Sequence, residues 1–173
     1  MPTRDSTGGE RSGAGWCNTT VLSLAASIIA AVACPPTAVH YTPNGVPGIQ
    51  QIPWIQAAPA SAGIRGLLWY YDSAGAWGKT HVPFAHVYAG GEDPSGRVSM
   101  KILWVARRSG GGPAIAITGR RLDGDGLFRQ RFQRVSGAGS GQYASIVEVP
   151  APGCWQLTLT TGRLRAKAVF VAV

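Results

Sequence analysis

The sequence predicts an all-β protein, an immunoglobulin-like antiparallel sandwich of about eight strands, preceded by a signal-peptide helix and a proline-rich linker. Three observations predict it. Glycine (24) and proline (12) together make about a fifth of the 173 residues, which favours turns over long helices. Short runs in which apolar and polar residues alternate recur between those turns. After residue 33 no segment keeps a helical period.

Composition narrows the class further. Charged residues are 14% of the chain against 45% hydrophobic, low beside the roughly one quarter charged that is usual for soluble domains. The formal charge is +8. Residues 1–33 hold Arg4, Arg11, Asp5 and Glu10, so 14 basic and 6 acidic side chains remain beyond them. The excess therefore belongs to the folded part and would attract anionic surfaces over about a Debye length.

The first element is the run "VLSLAASIIAAVA", Val21 to Ala33, thirteen small or apolar residues behind an n-region at 1–16. A membrane span needs about 20 such residues, whereas a secretory h-region needs about 7–15. Small and branched residues surround the helix on all sides, leaving no polar stripe for a surface helix of the domain. Ala31-Val32-Ala33 fits the A-x-A pattern read by a signal peptidase. Cys34 follows at once, so the site resembles a bacterial lipobox, with Ala31 where such boxes usually carry leucine. The expectation is lipidation at Cys34, with cleavage and release, or an uncleaved anchor, as alternatives. Each puts the rest of the chain outside the cytoplasm, where nucleic acid is not an expected partner. Two or three acyl chains on one cysteine hold a protein stably at a membrane, at about 0.8 kcal/mol per buried methylene.

Cys17 leaves with the leader, so two cysteines remain. If Cys34 carries lipid, Cys154 is a small buried hydrophobe beside Trp155. If Cys34 is free, a disulfide between 34 and 154 becomes available in an oxidising compartment.

Residues 34–62 contain Pro35, Pro36, Pro43, Pro47, Pro53 and Pro59. Such a segment reads as a stiff, extended stalk. Trp54 and Ile55 are too apolar for a pure spacer and should dock on the domain as an edge element. The domain itself is expected at 63–173. Its strands are "IRGLLWYY", "THVPFAHVYA", "VSMKILWVARR", "AIAITGRRL", "LFRQRFQRV", "QYASIVEV", "CWQLTL" and "RLRAKAVFVAV", separated by turns such as "GGEDPSGR", "DGDG" and "PAPG". In "CWQLTL", Trp155, Leu157 and Leu159 share one face and Gln156 and Thr158 the other, as in a strand with one solvated side. The last strand is apolar on both faces and should be central or covered. A small barrel is the alternative closure.

The segments "PWIQAAPASAGIRGLLWYY", "KILW", "GRRLDGDGLFRQRF" and "YASIVEVPAPGCWQLTLTTG" together resemble a group of uncharacterised lipoproteins of high-GC Gram-positive bacteria with an immunoglobulin-like domain. The resemblance spans most of residues 53–173. It implies a fold and an extracytoplasmic address and brings no activity or catalytic residues. In "PAPGCW", Trp155 is placed to pin the start of a late strand, a role often held by tyrosine in sandwiches of this type.

No catalytic constellation is legible, and no enzyme activity or cofactor is expected. His81 and His86 lie five apart in one strand and project to opposite faces, His40 is remote, and no cysteine has a partner at zinc-ligand spacing, so no metal site is expected. Ser140 in "GAGSG" lacks the strand-to-helix elbow of a nucleophile. Asp123 and Asp125 suit a hairpin turn better than a calcium loop. Asp72, Glu92, Asp93, Asp123, Asp125 and Glu148 form no recognisable acid pair.

Two features suit binding. Across the "DGDG" hairpin, pairing Leu122 with Leu127, Arg120 with Arg129 and Thr118 with Arg131 puts three arginines on one face, opposite Ile115, Ile117, Phe128 and Phe132. Arg120, Arg129 and Arg131, with Arg121 and Arg134 nearby, are candidate anion-binding residues; a solvated face guarding the sheet edge is the plainer account. Trp77, at a loop tip near Tyr70 and Tyr71, is the candidate for stacking on a ligand. The expected function is an exported, membrane-anchored, non-catalytic interaction module. The expected partners are the membrane, through a lipid on Cys34, and an anionic wall polymer or an envelope protein. The runner-up is a carbohydrate- or wall-polymer-binding module that uses the arginines or Trp77.

Overall fold

The computed structural model describes residues 34–72, 84–91, 101–107, 109–137 and 141–173. The leader at 1–33, Trp77, His81 and Ser140 lie outside the described residues. The described chain is an all-β sandwich of two five-stranded sheets. Its strands are β1 (Val39–His40), β2 (Trp54–Gln56), β3 (Ile64–Leu68), β4 (His86–Val87), β5 (Lys101–Ala106), β6 (Ala114–Arg121), β7 (Leu127–Gln133), β8 (Gly141–Ile146), β9 (Gly153–Thr161) and β10 (Leu164–Ala172). The first sheet runs β1-β2-β3-β5-β8 and the second β4-β10-β9-β6-β7. The pairings are antiparallel except that of β4 with β10, which is parallel.

Period-two alternation builds the core. From the first sheet Ile55, Ile64, Leu68, Ile102, Trp104 and Tyr143 point inward. Ile115, Ile117, Trp155, Leu157, Leu159 and Phe170 meet them from the second, and all twelve are buried. Two glycines make room for large rings. A Cβ on Gly66 would lie 2.7 Å from Trp104 Cζ3, and one on Gly119 would overlap the Phe128 ring. Each glycine sits directly across the ladder from the aromatic that covers it. An alanine at either place would force the ring off its strand. Trp155 is 1% exposed, donates from Nε1 to the Ala151 carbonyl at 2.9 Å and packs 5.5 Å from Phe128. It ties the "PAPG" corner to the head of β9, as the sequence predicts. Buried polar groups are used internally: Trp104 Nε1 donates to Ser145 Oγ, and Ser145 in turn to the Ile102 carbonyl.

The structure departs from the sequence reading in three places. First, residues 34–62 are not a stalk. β1 and β2 extend the first sheet beyond β3, Ala58 exchanges hydrogen bonds with Lys167, and Thr37 bonds Val169 through both backbone and hydroxyl. Residues 43–52 fold back, with Ile52 buried in a second small cluster with Leu67 and Leu103 on the outer side of the first sheet. Asn44 holds that excursion, bonding the Ile49 and Ile52 carbonyls and the Val46 amide. Proline there shapes a turn-rich cover rather than a rod. This segment supplies the strands beyond the expected eight. Trp54 lies in β2, inside the sheet order rather than at its edge.

Second, "IRGLLWYY" ends as a strand at Leu68. Trp69–Asp72 form one helical turn that drops Tyr70 and Tyr71 into the core.

Third, Cys34 and Cys154 are joined in a disulfide, their Cα atoms 5.7 Å apart. A sulfur bonded to sulfur has no valence left for the thioether of a lipid anchor. In this fold Cys34 is a cross-link, so a lipid on its sulfur and this bond are alternatives. The bond does not bridge the two sheets as the immunoglobulin disulfide does. It pins the first described residue to the head of β9, 120 residues on, and covers the outer end of β9 and β10 where Cys154 faces Val171. Closing so long a loop removes about 4–5 kcal/mol of unfolded-chain entropy on the usual estimate. Reduction, or Cys154→Ser, should lower the melting temperature by about 10 °C; thermal unfolding with and without reductant checks this, and the serine variant should no longer respond to reductant.

Candidate functional site

The hairpin β6–β7 places the three predicted arginines. Its register pairs Arg120 with Leu127, Thr118 with Arg129 and Ala116 with Arg131, two residues away from the expected pairing. The cause is the turn. The Leu122 amide donates 2.7 Å to the Cys154 carbonyl and so stays with β9, while the Arg121 amide donates to the Gly126 carbonyl across residues 122–125. A slip of two preserves faces, because side chains alternate with period two. Arg120, Arg129 and Arg131 therefore still share the exposed side, with Ile115, Ile117 and Phe128 turned inward.

Arg121 belongs to the turn. Its Nε donates to Asp123 Oδ1 at 2.8 Å, and this bond holds the Asp123 carboxyl below its ordinary range. Gly153, at φ 139°, lies so close that any Cβ would strike both groups. Asp123 is thus a turn residue, as expected, and Arg121 is not part of an anion site. Arg134 follows β7, donating its amide to the Pro113 carbonyl.

The second sheet adds two cations that the sequence reading left out, Arg165 and Lys167 on β10. The ladders align Arg131, Ala116, Thr160 and Arg165 in one row across β7, β6, β9 and β10. Arg129, Thr118, Thr158 and Lys167 form the next. All of the cations in these rows are exposed. The signal was present in "RLRAKAV", where Arg165 and Lys167 alternate with buried Leu164, Ala166 and Ala168. What the sequence alone does not give is that β10 lies beside β9, with β9 and β6 between it and β7.

The other candidates go different ways. His40 stacks on Trp54 at 4.4 Å, and the Arg65 guanidinium lies 5.1 Å over the same ring, so His40 serves packing. Trp54 Nε1 donates to the Thr42 carbonyl. Lys101 lies 5.5 Å from the Trp69 ring, a cation–π contact of modest worth on an exposed face. Among the described residues no three of His, Cys, Asp and Glu come together as metal ligands.

His86 is buried in β4 with Tyr70 and Tyr71. The Tyr71 hydroxyl donates to the Phe84 carbonyl at 2.8 Å, accepts from the His86 amide and lies 2.8 Å from His86 Nδ1. With its one proton given to Phe84, the hydroxyl can only accept from Nδ1, which fixes that tautomer. Tyr70 donates to the His86 carbonyl. This cluster closes the core behind the helical turn.

Burial pushes the imidazole pKa below its ordinary 6.5, with a backbone bond at Phe84 opposing. Burial raises both tyrosines, so they stay neutral throughout the acid range. The folded state thus refuses a proton that the unfolded chain accepts. Stability from this source is complete above about pH 6.5 and falls as pH drops toward the folded pKa, by at most about 1.4 kcal/mol per pH unit. Denaturant unfolding between pH 8 and 5 should show that slope, and His86→Gln, less stable throughout, should flatten it.

Comparison with known proteins gave no match for this chain, whether to a family model, to a curated protein or to a solved structure.

Proposed function

We propose that the chain is exported, loses residues 1–33, and works outside the cytoplasm as a non-catalytic β-sandwich interaction module in the cell envelope. The observation that carries this reading is the bond from Cys34 to Cys154. Disulfides persist in oxidising compartments and are rare in the cytosol. Cys34 is also the residue directly after the A-x-A pattern, so cleavage there makes the cross-linked cysteine the new chain start. All ten described strands lie after it.

The module reading rests on where polar chemistry is spent. His86 is engaged in the core, His40 in an aromatic stack, Asp123 in a turn, and Ser145 and Thr161 in buried hydrogen bonds. What faces solvent in quantity is positive charge on one sheet. The likeness to extracytoplasmic lipoproteins points to the same address. A lipid on Cys34 would require that the disulfide be absent, so anchoring by that route and this fold are alternatives.

Intact mass of the protein recovered from its host, with and without reductant, tests the reading. The expected species begins at Cys34 and gains 2 Da on reduction, as two thiols replace one disulfide. A mass carrying acyl chains would keep export and replace the cross-link by an anchor. A full-length reduced species in the cytosol would end the proposal.

A further inference from the structure

The outer face of the second sheet has the form of a trough. Its floor is made of short side chains from the two inner strands, Ala116 and Thr118 on β6 and Thr158 and Thr160 on β9. Its banks are long cations, Arg129 and Arg131 on β7 and Arg165 and Lys167 on β10. Four strands at about 4.8 Å spacing set the banks about 14 Å apart, and successive rows lie about 7 Å apart along the strands. One end is covered by the Cys34–Cys154 bond and the segment that follows Cys34. Toward the other end the floor opens, from half-buried Thr158 to exposed Thr160.

The charges are uncompensated. Among the described residues none of the four bank cations, nor Arg120 in the third row, has a carboxylate or hydrogen-bond partner. The floor hydroxyls of Thr118, Thr158 and Thr160 likewise make no bond within the described fold. Edge protection explains Arg129 and Arg131, because β7 ends its sheet. It does not explain Lys167 on β10. That strand pairs with β9 on one side, and on the other the Lys167 amide and carbonyl both bond Ala58, so no open edge exists at Lys167 to guard. Two facing ranks of cations across a hydroxyl floor are a ligand geometry.

We propose that this trough binds a linear polymer of phosphodiester-linked polyols outside the cell membrane, lying along the strands. Guanidinium forks match phosphate oxygens in pairs, ammonium adds a point charge, and threonine hydroxyls donate from below. Strands β7, β6, β9 and β10 carry no outward aromatic side chain among the described residues. That disfavours single-stranded nucleic acid and sugar rings, both of which are held largely by stacking. A bilayer surface offers no ridge to enter a trough with a low floor. The inference rests on the export reading for where such a polymer is met, but its test is made in solution and does not depend on that reading.

The experiment measures binding of the purified, oxidised protein to poly(glycerol phosphate) at several salt concentrations. Polygalacturonate, oligo-dT and phosphatidylglycerol vesicles serve as comparison probes. With about four phosphates neutralised, log K should fall against log salt with a slope of about −3, by analogy with single-stranded polyanions. Arg129→Ser with Arg131→Ser, and separately Arg165→Ser with Lys167→Ser, should each weaken binding at least tenfold and reduce the slope by about 1.4. Lys101→Ser with Arg107→Ser removes equal charge from the other sheet and should change affinity less than threefold. Thr158→Val with Thr160→Val keeps every charge and should weaken binding with the slope unchanged. The proposal is overturned if the control pair weakens binding as much as the banks do. It is also overturned if only the β7 pair matters, or if any comparison probe binds as tightly through the same residues. Thermal melts of each variant separate lost binding from lost folding.

Discussion

The clamp at the start of the described chain is the constraint on which the rest depends. Between Cys34 and Thr37 the chain is fixed covalently to β9 and by hydrogen bonds to β10. Those contacts cover the end of the last strand, whose Val169 and Val171 would otherwise offer an apolar outer surface at the end of the sheet. They also start the chain on the second sheet, from which it crosses to become β1 and β2 of the first. A sandwich closed this way has its N-terminal segment in both layers. That is why a stretch with six prolines is an integral part of the fold, although proline is unsuited to the middle of a sheet. The prolines fall mainly in the connections, and β1 and β2 are short enough to avoid them.

Once the layers are fixed, the inner faces follow from size and shape. Trp104 and Phe128 each lie over a glycine on the neighbouring strand, so a large ring gains contact area where a paired side chain would have held it away. Trp155 packs against the second of these rings, touching Phe128 while bonded to Ala151. The strand order of the second sheet also sets its outer face. Threonine, alanine and glutamine fill its centre because β6 and β9 are inner strands, and their outward positions need only β-compatible, soluble residues. The cations lie on the strands to either side.

Much of this was legible in the chain. The eight strands of the main domain, their turns, the role of Trp155 and the common face of Arg120, Arg129 and Arg131 follow from alternation and turn chemistry, both local properties. The register of β6 on β7 was not legible, because a third strand decides it: Leu122 bonds to Cys154 rather than to its hairpin partner. The face survived because the slip was even. Likewise, Tyr70 and Tyr71 read as strand residues, and their burial through a helical turn depends on His86 and Phe84 from a distant segment. The second bank of the trough could not be read for the same reason. Arg165 and Lys167 alternate as plainly as the hairpin arginines, yet only the order β10-β9-β6-β7 makes them face one another across the threonines.

This division bears on what kind of function such a chain can carry. Catalysis needs groups brought into a concave site and held at hydrogen-bond range. In the described residues the histidines, the buried serine and the turn aspartate are each engaged in holding the fold. Charge on a sheet face makes a different demand. It requires only that strand order and parity be kept, and both are secured here by the core beneath and by the disulfide at one end. A rank of cations two residues apart on each of two strands is then a rigid, repeating array, and a repeating ligand is what such an array can match over its whole length. The proposed polymer is such a repeating ligand of opposite sign, and the hydroxyl floor supplies the donors that a charged rim alone would lack.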